Sequence, residues 1–256
     1  RQRIKNLSFV ALAFFIGVLV LMFALVPTYE FVKEAGFGYR IGRGPTIFSS
    51  VQIGRLINPN TCGNPVESAW VCSGNYNESA MYVGLLPFML IPFSLTNKKN
   101  KLTSWFFFIM AALILMIVFG VGPLYRIVGN LPLFNANSNT RMIALLPLCF
   151  AFISATGMDN LTRVNAQKGY WSLILYVLLV ICTFLLFQKV SLASATDDLT
   201  RNYFLGQRLF TTLLLICYSI IITLILTFKN KLFTSAIITL LLLINFVERS
   251  FLLGGY

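Results

Sequence analysis

The sequence predicts an all-α fold: a polytopic transmembrane helical bundle of about seven spans, with a long outer loop containing short interfacial helices. Three observations carry this. Hydrophobic residues make up 57% of the 256-residue chain. Charged residues make up 11%, against about 25% in an ordinary globular domain, too few to wet the surface of a soluble body of this size. The apolar residues also gather into runs near the ~20 residues that a helix needs to cross a ~30 Å hydrocarbon core.

Taken in order, residues 7–26, 103–122, 171–187 and 209–228 are free of charge throughout. Residues 79–95 carry Pro87 and Pro92, residues 142–158 carry Pro147 and Gly157, and residues 232–247 stop at Glu248. These three are expected to be kinked or packed inside the bundle, because proline removes a helical N–H and the freed groups need partners that lipid lacks. All seven belong to one transmembrane domain, 1–256. A start at Arg1 and an end at Tyr256, just after an apolar run, predict an interior piece of a longer protein.

Charge sets the expected orientation, since basic residues in short loops stay cytoplasmic. With the amino terminus inside, Arg1, Arg3, Lys5, Lys98, Lys99, Lys101, Arg163, Lys168, Lys229 and Lys231 face the cytoplasm against the single acid Asp159, a net +9. The other side holds ten basic and seven acidic residues, net +3, spread over longer segments. The overall charge of +12 is therefore largely a topology signal, and nucleic acid is not an expected partner. The chain has no histidine, which excludes histidine triads and histidine-ligated metal sites; no metal site is expected.

Loops carry specificity more often than spans, which directs attention to the outer segments 27–78, 123–141 and 188–208. In the first, residues 46–57 place Ile47, Phe48, Val51 and Leu56 near one helical face with Gln52 and Arg55 away from it. That pattern fits a helix lying on the membrane surface or one packed on the bundle. Just before it, GFGYRIGRGP interleaves glycines with Arg40 and Arg43, either a solvated turn or a site where backbone amides and guanidinium groups hold a phosphate. Cys62 and Cys72, ten positions apart, are expected to form a disulfide stapling this loop. Cys149, Cys182 and Cys217 fall inside spans and are expected to be inert. The outer acids Glu30, Glu34, Glu67, Glu78, Asp197, Asp198 and Glu248 read as surface carboxylates. The second outer segment carries Arg126 and ends in Arg141, which either snorkels to the headgroups or clamps a lipid-linked phosphate.

Three stretches in order carry a resemblance: NPNTCGNP followed by YVGLLPFMLIPF (58–65, 82–93), LPLFNANSNTR (131–141), and the run to ATGMDNL (155–161). Together they resemble the YfhO-like bacterial membrane proteins, relatives of the GT-C glycosyltransferases. The similarity covers roughly residues 45–165. Its outer turn usually holds two arginines; here Arg141 matches the second, and Asn137 and Ser138 stand in the region of the first. The resemblance implies transfer of a sugar from a polyprenyl-phosphate donor to a cell-envelope polymer on the outer face of a bacterial cytoplasmic membrane. No cofactor is implied beyond that donor. It also implies a catalytic acid upstream of this piece. Arg141, Arg126, Arg40, Arg43 and Asn135 are the residues expected near the donor's phosphate or sugar, with membrane lipids and the envelope polymer as further partners. A flippase or polymerase component for lipid-linked oligosaccharides, or a structural membrane subunit, are the alternatives.

Overall fold

The computed structural model describes residues 2–34, 47–64, 72, 75–131, 134, 138–163, 170–192, 198–227 and 231–253. Arg40, Arg43 and Asn135 lie outside the described residues. All regular structure among those described is helical: α1 (Gln2–Glu34), α2 (Leu85–Met89), α3 (Ile91–Leu95), α4 (Lys101–Val118), α5 (Leu124–Gly129), α6 (Leu146–Arg163), α7 (Tyr170–Leu192), α8 (Asp198–Thr227) and α9 (Lys231–Leu253), with short 3₁₀ segments between them.

The chain divides into two compact units, residues 1–45 with 127–138, and residues 46–126 with 139–256. In the first, α1 runs 33 residues, and side chains such as Phe14 and Phe23 are exposed. A helix apolar all round is built for lipid rather than for water.

Among the described residues of the second unit, three stretches are long and apolar enough to cross a membrane by length and composition: Lys101–Val118, Asn139–Arg163 and Arg201–Thr227. Shorter apolar stretches occupy Ala11–Phe23 of α1 and Leu173–Thr183 of α7. The expected span 79–95 is not one helix. It is non-helical from Ala80 to Gly84 and then forms α2 and α3, which turn at Leu90. Gly84 sits at φ +94°, a conformation that glycine adopts without cost. The prolines explain the second break: Pro92 lacks the N–H that would bond back to Phe88, and it opens α3 where that loss is harmless.

This broken span is the centre of the unit. Leu85, Met89 and Phe93 are fully buried, with α4, α6, α7 and α8 packed around α2 and α3. Gly157 of α6 allows the closest approach: a Cβ there would sit 2.6 Å from the Leu90 carbonyl oxygen. The Phe88 and Phe150 rings stack at 5.6 Å, and Phe93 meets Tyr176 at 5.6 Å. Apolar surface gives no net drive to association inside lipid, so such close fits and interhelical hydrogen bonds carry the packing.

Polar residues collect at the two ends of the unit. Ser94, Ser104 and Thr156 share hydroxyl contacts of 2.7 and 3.1 Å, Asn97 Nδ2 donates to the Thr156 carbonyl at 2.9 Å, and Asn160 Nδ2 donates to the Phe93 carbonyl at 2.8 Å. Lys98, Lys99 and Lys101 follow directly, and we call this the lysine end. The opposite, plug end gathers residues 47–64 and 75–79, the start of α6, the start of α8 and the end of α9.

Of the two arrangements open for 46–57, the structure has the segment packed on the bundle, with Leu56 and Ile57 in its core, and not as an α-helix. Ser50–Leu56 is a 3₁₀ helix, and Gln52 and Arg55, expected to face away from the bundle, are 0% and 1% exposed, while Ile47 is 51% exposed. Polarity sorts the two outward, but Arg55 is buried with its guanidinium donating to the Pro59, Ser79 and Tyr76 carbonyls, and the 3₁₀ repeat of three residues per turn stacks Gln52 beside it. Ile47 and Phe48 close on the end of α4 instead. The Phe48 N–H donates to the Val118 carbonyl at 3.0 Å, and its ring meets Phe119 edge-on at 6.1 Å.

Candidate functional site

The plug is built from a polar loop folded on itself. Arg55 is its centre: Nε donates to the Pro59 carbonyl at 3.2 Å, Nη1 to the Ser79 carbonyl at 2.9 Å and to Ser79 Oγ, and Nη2 to the Tyr76 carbonyl at 3.3 Å. The guanidinium also lies 4.5 Å from the Tyr76 ring centroid, a cation–π geometry. Asn58 caps the 3₁₀ turn Pro59–Cys62 through the Asn60 N–H, and its Nδ2 reaches Gln207 Oε1 at 3.1 Å and Thr211 Oγ1 at 2.8 Å on α8. A Cβ on Gly54 would fall 2.6 Å from Thr61 Cγ2, so glycine permits the fold-back. Cys62 and Cys72 are joined by a disulfide with Cα atoms 5.4 Å apart.

Beneath the plug, the non-helical stretch of the broken span leaves backbone groups without helical partners, and two adjacent side chains of α9 take them. Glu248 Oε1 accepts from the Leu85 N–H at 3.3 Å and from the Tyr82 hydroxyl at 2.5 Å, and Oε2 accepts from the Tyr218 hydroxyl. Arg249 Nη2 donates to the Val83 carbonyl at 3.3 Å, and the Val83 N–H donates to the Leu56 carbonyl at 3.3 Å. Glu248 is 1% exposed, which corrects the expectation of a surface carboxylate. Helix α9 runs on to Leu253, so Glu248 lies inside it rather than beyond its end. With both oxygens engaged by donors, Glu248 serves to hold Tyr82 and the start of α2 in place.

A cavity of about 410 Å³ lies against this arrangement. The broken span lines it with Tyr82, Val83, Leu86, Pro87 and Leu90; α6 contributes Pro147, Phe150, Ala151, Ser154, Ala155 and Met158; α9 contributes Leu242, Asn245 and Arg249. Its size falls in the roughly 300–1,000 Å³ range of small-molecule sites. Non-helical backbone at membrane depth is tolerated where protein or a cavity receives it, and this cavity sits at that place.

Of the residues expected near the donor, the two that are described, Arg141 and Arg126, lie away from this cavity. Arg141, in the 3₁₀ segment Asn139–Leu145, pairs with Glu78 at 2.8 Å on the exposed surface of the plug end. Arg126, on α5, donates from Nε to the Tyr125 hydroxyl at 2.9 Å. That hydrogen bond and the charge of Tyr125 raise the guanidinium's pKa further, keeping it cationic at any physiological pH. Neither arginine lines the cavity.

The groups that sequence reading missed are Arg55, Glu248 and Arg249. A signal for the last two was present: LLLINFVERSFLL places Glu248 and Arg249 between apolar residues on both sides. Comparison with known proteins adds no relative, since no family model, no curated protein and no solved structure matches the chain.

Proposed function

We propose that the chain is the membrane-embedded part of a GT-C-like, YfhO-like glycosyltransferase. It would transfer a sugar from a polyprenyl-phosphate donor to a cell-envelope polymer on the outer face of a bacterial cytoplasmic membrane. In this reading the chain crosses seven times, with its amino terminus cytoplasmic and the plug end outside. The observation that supports it most is the cavity against the broken span, mostly apolar in lining and carrying one cationic residue, Arg249, at the plug end. A lipid-linked donor needs that combination: an apolar enclosure for the chain and a fixed cation for the phosphate. Arg141 and Arg126 then act at the water-facing edge, where the acceptor arrives.

The test is genetic and chemical. In a strain lacking the gene, complementation with the whole protein carrying Arg141→Ala should leave the envelope polymer without its sugar while the protein accumulates normally. Unchanged glycosylation rejects the reading. The discontinuous span also favours a second reading, a flippase for lipid-linked oligosaccharides, because interrupted helices mark the substrate sites of many transporters. Purified protein that moves a lipid-linked sugar across a vesicle membrane without transferring it would select this reading.

A further inference from the structure

Two of the polar groups that line the cavity are engaged within the protein, and two are open to it. Ser154 Oγ donates to the Phe150 carbonyl of its own helix at 2.6 Å, and Asn245 sits beside the Tyr218 hydroxyl, whose oxygen can accept from its Nδ2. Tyr82 and Arg249 remain. The Tyr82 hydroxyl has one proton, and that proton goes to Glu248 Oε1 at 2.5 Å. A phenol oxygen accepts as well as donates, and among the described residues nothing donates back to this one. Toward the cavity Tyr82 therefore presents an acceptor. Arg249 presents the opposite: Nη2 reaches the Val83 carbonyl, and the rest of the guanidinium fork keeps its N–H donors. Both residues line the cavity, and the bond to Val83 ties Arg249 to the residue after Tyr82. Arg249 is exposed and Tyr82 half-buried, so the plug end of the cavity can be entered.

An acceptor beside a cation selects among ligand groups. A fully ionised phosphate or carboxylate satisfies Arg249 and leaves the Tyr82 oxygen facing lone pairs. An ammonium group can donate to Tyr82 but is repelled by the guanidinium. A hydroxyl suits both, donating its proton to Tyr82 Oη and accepting from Arg249. Behind Tyr82, the two oxygens of Glu248 accept from Tyr82, the Leu85 N–H and Tyr218, the acceptor-only behaviour of an ionised carboxylate. Glu248 is 1% exposed within an apolar helix, and ionisable groups so placed in membrane proteins mark proton relays and substrate sites. A hydroxyl bound at Tyr82 completes two hydrogen bonds in series, both pointing from the cavity toward that buried carboxylate.

We propose that the plug end of the cavity binds the hydroxyl group of an alcohol, with Tyr82 as its acceptor and Glu248 as the positioning residue that draws the Tyr82 proton away from the cavity. The binding site goes beyond the reading given above; its chemical use rests on that reading, in which the hydroxyl belongs to the sugar acceptor. There the acceptor's O–H bond breaks as its oxygen bonds to the anomeric carbon. The carbon–oxygen bond to the phosphate breaks, its electron pair leaving with the phosphate. The proton passes to Tyr82 Oη while Tyr82's own proton passes to Glu248 Oε1. Arg249 can hold the hydroxyl oxygen and a phosphate oxygen on the same fork, which keeps the two reactants adjacent. Once product leaves, the proton returns through Tyr82 to water at the open end.

The probe is tritiated 1-dodecanol, bound to the purified protein in phosphatidylcholine nanodiscs and followed by scintillation proximity. Unlabelled 1-dodecanol competes against dodecyl methyl ether, which keeps the chain and the oxygen but cannot donate. The alcohol should compete about fivefold better than the ether, the worth of one hydrogen bond. Tyr82→Phe should erase that preference by weakening the alcohol while ether binding, which reports an intact cavity, is unchanged. Glu248→Gln should erase it too, because the amide nitrogen can donate to Tyr82 Oη and turn the phenol proton toward the cavity. Tyr218→Phe removes the matching hydrogen bond from the other carboxylate oxygen, at a residue outside the lining, and should keep the preference. Equal competition by alcohol and ether on the wild type, or a preference lost equally in Tyr82→Phe and Tyr218→Phe, would overturn the site. Displacement of dodecanol by glycerol would assign the hydroxyl to a polyol arriving from water, and resistance to glycerol would assign it to a lipid alcohol. In cells, Tyr82→Phe should slow envelope glycosylation by about a hundredfold with the protein accumulating normally. Normal glycosylation in that strain would overturn the proton-accepting role. An unaltered polymer in a strain lacking the gene would remove the glycosyltransferase reading alone and leave the hydroxyl site to the binding result.

Discussion

The plug end and the lysine end of the second unit both bury polar side chains, but with different chemistry. At the lysine end every member is neutral: Ser94, Asn97, Ser104, Thr156 and Asn160 link α3, α4 and α6 through hydroxyl and amide contacts. At the plug end the central groups are a buried guanidinium, Arg55, and a buried carboxylate, Glu248, each engaged by several partners across long sequence separations. Neutral hydroxyls and amides suffice where regular helices need only be held in register. Charge appears where the backbone departs from helix, because a carboxylate or guanidinium satisfies several orphaned groups at once. Glu248 and Arg249 thus do for Val83 and Leu85 what another turn of helix would have done.

The sharpest way to break this contrast is to remove the carboxylate. Glu248→Leu leaves two tyrosine hydroxyls and the Leu85 N–H without their acceptor. At roughly 1–3 kcal/mol per orphaned buried group, the loss should reach about 3 kcal/mol or more, read as the shift in an SDS-unfolding midpoint of the micellar protein. Glu248→Gln keeps one carbonyl oxygen and should lose about half as much. A loss below about 1 kcal/mol for Glu248→Leu would mean that the non-helical stretch is supported by something else.

Arg55→Met is the companion change. The methionine keeps the length and part of the contact with the Tyr76 ring, and it removes the donors to the Pro59, Tyr76 and Ser79 carbonyls. Carbonyls tolerate under-satisfaction better than N–H groups do, so the expected cost is smaller, about 2 kcal/mol. The damage should be local, with faster proteolysis or hydrogen exchange across residues 50–62 and unchanged protection in α4 and α6. Uniform loss of protection would show that the plug is part of the bundle's cooperative core.

Much of the bundle was legible in the sequence because the signal is long and redundant: a charge-free run like 209–228 has one reading at any register. The broken span was half legible, since Pro87 and Pro92 announce an interruption but not which backbone groups it frees. The cavity's polar groups were hidden by a rule that works elsewhere. Ending the last span at its first charge left Glu248 and Arg249 beyond the helix, although α9 continues through them to Leu253. Gln52 and Arg55 were hidden by their polarity, which sorts them outward, whereas the fold buries Arg55 by giving its guanidinium the Pro59, Ser79 and Tyr76 carbonyls. In both cases the residues were plain and the local geometry needed to sort them was not.

At the lysine end, Thr156→Val tests the other half of the contrast. Valine preserves the shape and deletes the hydroxyl shared by Ser94 and Ser104, while the backbone carbonyl that receives Asn97 remains. Interhelical hydrogen bonds in membrane proteins average about 0.6 kcal/mol, and two neutral partners can re-bond to nearby carbonyls. The expected loss is about 1 kcal/mol or less by the same SDS titration. A loss equal to that of Glu248→Leu would erase the distinction between the ends.

The smallest stability effect belongs to the residue on which the sequence placed the most function. Arg141 and Glu78 pair at 2.8 Å with 63% and 53% of their side chains exposed, and pairs in that setting contribute about 0–1 kcal/mol. Arg141→Ala should therefore move the unfolding midpoint by less than about 0.5 kcal/mol. That near-silence is what makes the substitution useful, because a loss of envelope glycosylation in the same variant then reports on chemistry at the water-facing edge rather than on a damaged fold. Glu78→Gln separates the two roles of the pair. If Glu78 only anchors Arg141, its loss should leave glycosylation near the wild-type level, whereas a carboxylate that helps receive the acceptor would make Glu78→Gln as inactive as Arg141→Ala.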